Sequence, residues 1–166
     1  LNLGKFKNVH NFISIFLEKF QKSIKNKNVD YLLVQGDTST AYANSLFGFL
    51  EKIPIIHLEA GLRTFDHYSP FPEEYFRQCI SKVANIHLAQ TESAKLNLIN
   101  EGIKKNKIHV IGNPGIDYLV EKINSKNFSY KFKDTTILIN MNRREALAGK
   151  IANIIKNISQ LMIKNR

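Results

Sequence analysis

Four short apolar runs, each followed by residues at helical spacing, constrain this 166-residue chain more than anything else in it. The runs cover residues 29–35, 53–58, 85–90 and 107–111, and the helical stretches after them cover 39–50, 73–83, 93–100 and 114–123. Apolar runs of that length suit buried strands, and strands separated by single helices join as parallel neighbours through right-handed crossovers. The expected fold is α/β, a parallel sheet with flanking helices. A further helix over 6–24, with Phe6, Val9, Ile13, Phe16, Leu17, Phe20 and Ile24 on one face, precedes the first strand.

Local chemistry agrees with these boundaries. A hydroxyl at Thr38 or beside it can cap the helix after Gly36. Pro72 suits the first turn of the helix over 73–83, and Pro114 opens the last one. Gly102 is placed to end the helix before it. Residues 60–72 read as a loop rich in turn formers and aromatics. Residues 124–134 are polar and lysine-rich and read as a linker, after which 135–141 make a further strand and a helix starts near Arg144. The expected division is 1–123, the linker 124–134, and 135–166. Two marks point to a piece of a longer protein: a first residue, Leu1, that is not methionine, and a helical pattern over 151–163 that runs up to the end.

The chain carries 24 Lys+Arg against 14 Asp+Glu, a net charge of +10. Its lysines are scattered and not interleaved with aromatics, so a solvated surface is preferred to a nucleic-acid face. A positive field still helps to recruit a diphosphate. No apolar stretch has the length of a membrane span. Residues 12–17 imitate a secretory apolar segment but lack a small-residue cleavage site and run into Glu18-Lys19. The single cysteine, Cys79, fits a reducing compartment, and the five histidines fall into no metal-ligand spacing. Neither membrane, nucleic acid nor metal is expected as a partner.

Three acids stand where strands or proline-marked turns give way to helices. They are Asp37 in Val34-Gln35-Gly36-Asp37-Thr38, Glu59 in His57-Leu58-Glu59-Ala60-Gly61, and Glu73 in Pro70-Phe71-Pro72-Glu73-Glu74. Parallel strands deliver their carboxyl ends to one crevice, where ligands bind. Carboxylates crowded into such a crevice push each other's pKa values apart, which is what acid–base chemistry needs. Each acid also has a structural reading: Asp37 as an Asx-type cap, Glu59 as an ion-pair partner of Arg63 or Arg77, Glu73 and Glu74 as first-turn residues that complement the helix dipole. The ordered set favours chemistry. Gly36 and Gly61 permit close backbone approach to a ligand, and His57 reads as a strand residue with a satisfied ring.

Gly36-Asp37-Thr38-Ser39-Thr40, residues 57–64, residues 68–74 with Arg77, and Gly112-Asn113 with Ile116-Asp117 closely resemble, in order and spacing, the non-hydrolysing UDP-N-acetylglucosamine 2-epimerases. The resemblance runs from about 29 to 119 and resumes weakly at 137–145. It implies a Rossmann-like sheet within the two-domain GT-B architecture: the later part of the first domain over 1–123 and the start of the second over 135–166. The family's opening strand, with its Gly-Thr-Arg-Pro-Glu segment, has no counterpart in these residues. The first strand here is then left with an unpaired edge, which predicts poor folding or the need for a partner.

The implied reaction interconverts UDP-GlcNAc and UDP-ManNAc by eliminating UDP to a 2-acetamidoglucal and re-adding it to the opposite face. Asp37, Glu59 and Glu73 match the family's acid–base positions as a set, with no division of acid and base among them. Gly36, Arg63, Asn142 and Arg143 are the implied substrate contacts. Arg63 and Arg77 suit either positioning of substrate or bracing of carboxylates. No cofactor is implied, because no hydride moves. Family members are cytoplasmic homodimers that serve polysaccharide biosynthesis, so a homodimer is expected of the full-length protein and no activity of these residues alone. Hydrolysing relatives carry arginine after the aspartate of the Gly-Asp turn, where Thr38 stands here. Asn142 occupies the place of histidine in the family's His-Arg-Arg-Glu segment, and asparagine does not titrate in the useful range. A hydrolysing epimerase and a non-catalytic sugar-nucleotide-binding remnant are the alternatives.

Overall fold

The computed structural model describes residues 6–125 and 150–164, and the chain divides into two units, Leu1–Lys126 and Asn127–Arg166. The first unit opens with α1 (Val9–Ile24), capped by the Asn8 side chain, which accepts from the Asn11 N–H. Its Phe12 and Phe16 bury against Ala43. There follow β1 (Leu32–Gln35), α2 (Ser39–Leu50), β2 (Ile55–Ala60), α3 (Glu73–Val83), β3 (Ile86–Ala89) and α4 (Glu92–Asn100). A single 3-10 turn, Lys105–Lys107, leads into β4 (Ile108–Val110), and α5 (Pro114–Ser125) closes the unit. All strand pairs are parallel, in the order β1-β2-β3-β4. This is the parallel α/β sheet that the periodicity predicts, in the Rossmann-like form that the resemblance implies. Hydroxyl caps set two of the helix starts: Thr38 accepts from Ala41 N–H at 3.2 Å, and Thr91 from Ala94 N–H at 3.1 Å.

Strand order follows chain order, so right-handed crossovers bring α2, α3 and α4 down on the same face. Beneath them the register row Val34, His57, His87, Ile108 is buried from one edge of the sheet to the other. Val34, Ala41, Ile55, Ile80 and Ala84 form one apolar core, and Ala60, Ala89, Ala94, Leu98 and Ile108 another. Gly48 lets α2 approach the strands closely: a Cβ there would meet Leu32 Cδ1 at 2.9 Å. On the opposite face Leu33 is exposed, and Ile56, Leu58, Ile86 and Leu88 are half-buried.

The expected elements differ in their ends. β1 begins three residues later than the apolar run, at the Leu32 N–H that donates to the Pro54 carbonyl. β2 begins beyond Pro54, which has no N–H for a ladder, and runs to Ala60, which draws Glu59 into the strand. The strand over 135–141, the beginning of the helix near Arg144, most of the linker 124–134, and both Asn142 and Arg143 lie outside the described residues. In the second unit α6 (Lys150–Lys164) is helical over the pattern read from the sequence. Among the described residues no helix is long and apolar enough to cross a membrane.

Candidate active site

The site is built around the turn that ends β1. Gly36 takes φ +67°, donates its N–H to the Leu58 carbonyl at 2.9 Å, and accepts at its own carbonyl from His57 Nε2 at 2.9 Å. His57 is fully buried. Burial lowers its pKa to about 4; the bond to Gly36 opposes that shift and the charges of Arg63 and Arg77 add to it. The ring is therefore neutral near pH 7, with the proton on the nitrogen facing the carbonyl. Among the described residues its Nδ1 has no hydrogen-bond partner, so the ring is half satisfied rather than fully paired. The next residue, Asp37, forms an ion pair with Arg77 Nη2, which α3 delivers.

Glu59 reaches the same turn from β2. Its backbone sits at φ +63°, and the β2–β3 register shifts between Leu58 and Ala60, so the residue is extruded from the ladder. A left-handed glutamate costs on the order of 1–3 kcal/mol and persists only where surroundings enforce it. Its side chain crosses to β1, where Gln35 Nε2 donates to Oε1 at 2.8 Å. A Cβ on Gly36 would lie 3.4 Å from Oε2. The Gly36 turn thus lies beside the Glu59 carboxylate, and Asp37 and Glu59 share the carboxyl end of neighbouring strands.

Glu73 is the first residue of α3, half-buried, and takes part in none of the described hydrogen bonds. It precedes Arg77 by one helical turn, which puts both on one helix face. Glu74 has a different role. It is fully buried and accepts from the Thr64 N–H at 3.0 Å, the Phe65 N–H at 3.2 Å and Gln78 Nε2 at 2.8 Å, with Arg77 Nη1 at 3.4 Å. Burial pushes its pKa upward, but these hydrogen bonds and Arg77 outweigh it and hold the group below the ordinary carboxylate value. Arg77 therefore ties Asp37 to the residue that clips the loop after β2. Glu74 is thus more than the first-turn acid that its position suggests, and Arg77 and Gln78, three and four residues on, are the sequence signal of its partners.

Arg63 is buried and bonded throughout: Nε and Nη2 to the two oxygens of Glu101 at 2.6 and 2.9 Å, Nη2 also to Ser81 Oγ at 2.8 Å, and Nη1 to the Leu62 carbonyl at 2.7 Å. Of the two roles open to it, this geometry is that of a brace, and its carboxylate is Glu101. Glu59 pairs with neither arginine; its partner is Gln35. Gly61 answers to packing, since a Cβ would fall 2.2 Å from the Ala94 carbonyl oxygen. Two open cavities of about 320 and 340 Å³ are lined by residues such as Lys52, Pro54 and Lys107, or Lys25 and Val29, and by none of the three acids. Among the described residues no group of three His, Cys, Asp or Glu could hold a metal ion.

A parallel α/β sheet with Asp37 and Glu59 at the carboxyl ends of neighbouring strands has the arrangement in which such sheets bind ligands, and comparison with known proteins narrows it. The family model described as UDP-N-acetylglucosamine 2-epimerase matches residues 1–165. The chain belongs to the UDP-N-acetylglucosamine 2-epimerase family. It is 38% identical to the UDP-N-acetylglucosamine 2-epimerase of Bacillus subtilis over 151 residues, covering 88% of this chain and 40% of that protein. It is 40% identical to the Neisseria meningitidis protein of the same name, covering 81% and 40%. The solved structure of UDP-GlcNAc 2-epimerase from Neisseria meningitidis bound to UDP-GlcNAc superposes with a TM-score of 0.72 at 38% identity, over 76% of this chain and 35% of that one. The S. aureus MnaA-UDP co-structure superposes with a TM-score of 0.85 at 33% identity, over 96% and 45%. The fold is accordingly the Rossmann-like one of GT-B enzymes. The chain spans about two fifths of the length of the curated relatives it matches.

Proposed function

We propose that this chain carries the acid-bearing part of a non-hydrolysing UDP-N-acetylglucosamine 2-epimerase, an isomerase that interconverts UDP-GlcNAc and UDP-ManNAc. The observation that carries the reading is the placement of Asp37 and Glu59 on either side of Gly36, with Glu73 one helical turn from the arginine that holds Asp37. In the reaction a base takes the C2 proton, the C2–H electron pair becomes the C1–C2 double bond of a 2-acetamidoglucal, and the C1–O pair leaves with UDP. Reversal with a proton delivered to the other face of C2 gives the epimer. Two proton-carrying groups on opposite faces of a ring are required, and acids supplied by two strand ends and a helix start can meet that need. Arg63 serves as a brace beneath the loop, and Arg143 is the residue offered to the diphosphate. The full-length protein acts in the cytoplasm as a homodimer. Family membership and the relatives solved with UDP-GlcNAc or UDP support this reading.

The test is an NMR assay of UDP-GlcNAc conversion. These 166 residues by themselves produce no UDP-ManNAc, whereas a chimera in which they replace the matching segment of the Bacillus subtilis relative does. Asp37→Asn or Glu59→Gln then lowers kcat by roughly 100-fold or more. Turnover by the chain alone, or full activity in both variants, contradicts the proposal. Asn142 favours a second reading, a sugar-nucleotide-binding remnant. A folded chimera that binds UDP in calorimetry but never converts the sugar would establish it.

A further inference from the structure

Resting on that reading, we propose that Gln35 is a positioning residue for the epimerisation, acting through Glu59. Three observations meet there. Gln35 ends β1 and stands in register with Leu58, the residue after which Glu59 leaves the ladder. Its amide is the partner of the Glu59 carboxylate, at 2.8 Å, in a site where one arginine, Arg77, holds both Asp37 and Glu74. The backbone of Glu59, at φ +63°, is one that a glutamate does not hold without external restraint. Extrusion from the sheet frees the side chain to swing, and a general acid or base must be held within hydrogen-bond reach of the proton it moves. The amide of Gln35 supplies that restraint without adding a charge. The Gly36 turn borders the carboxylate on its other side, since a Cβ there would stand in ordinary contact with Oε2. A neutral donor suits a group that must both lose and gain a proton, since a guanidinium would favour its charged form throughout the cycle.

The experiment has two arms. In the Bacillus subtilis chimera, the Gln35 side-chain amide protons, followed by ¹⁵N-edited NMR, exchange with solvent more slowly than free glutamine amides, and Glu59→Ala abolishes that protection. In the Bacillus subtilis chimera, checked for folding by circular dichroism, Gln35→Ala lowers kcat about 10- to 100-fold with KM within twofold. Gln35→Glu is as impaired at pH 8, where two carboxylates face each other, and recovers relative to the parent as pH falls and the new carboxyl gains a proton to donate. A purely structural role predicts no such pH-dependent recovery. Unprotected amide protons, an unchanged kcat in Gln35→Ala, or a Gln35→Glu defect that ignores pH overturns the inference. A folded parent chimera without turnover overturns the proposed function, and the inference with it.

Discussion

Glu59 and Glu74 differ by their neighbours rather than by their chemistry. One is extruded and held by an amide; the other is buried under two backbone N–H groups, Gln78 and Arg77. Glu74→Gln removes the charge opposite Arg77 and turns an acceptor oxygen into a donor facing other donors, so it should cost about 3 kcal/mol in urea unfolding. A loss below roughly 1 kcal/mol would show that the clip is marginal. Gly61→Ala, with φ +89° and a backbone oxygen in the way of a Cβ, should cost about 2–3 kcal/mol by the same measurement. At this scale the sequence was partly legible. Asp37, Glu59 and Glu73 stood out because each ends an apolar run or follows a proline turn. The partners of Arg63 and Glu59 did not, because Glu101 is 38 residues from Arg63 and Gln35 is 24 from Glu59. No local pattern links residues so far apart.

The paired strands β2 and β3 carry a pH dependence. His57 and His87 are neighbours in register and both fully buried. Burial lowers the pKa of each from 6.5 to about 4. The unfolded chain therefore binds more protons between those values. The stabilisation is complete above pH 6.5 and is lost as pH falls toward 4. Between pH 6.5 and 5, where Glu74 is still charged in the folded state, the loss should be about 1.5 kcal/mol per histidine. His87→Leu should remove about half of the slope; urea midpoints that stay level from pH 7 to 5 would contradict the assignment. Strand and helix alternation was readable here because apolar runs and helical spacing are local. The ends were less so: the shift of β2 onto Glu59 depends on where Pro54 falls and on pairing with β3, which is a tertiary matter.

The first unit leaves surfaces that a parallel sheet does not usually leave. Among the described residues α2, α3 and α4 cover one face, Leu33 on the other is 64% exposed, and β1 is the outermost strand. Parallel sheets occur almost only with both faces covered, and open apolar edges promote association. The 166-residue chain by itself should self-associate and bind a hydrophobic dye. Analytical ultracentrifugation giving a monodisperse monomer at tens of micromolar would contradict this. The open edge was legible because the resemblance named an absent strand. The open face was not, because apolar runs look alike whether one face or two are covered.

The central claim is that the acids gathered around Gly36 move the C2 proton of a bound sugar nucleotide. Solvent isotope exchange tests it most directly, with UDP-GlcNAc incubated in D₂O with the chimera and followed by proton NMR. The account predicts loss of the C2 proton signal in both epimers, abolished in parallel with turnover by Glu59→Gln. Epimer formed with its C2 proton retained, or exchange undiminished in that variant, would contradict it.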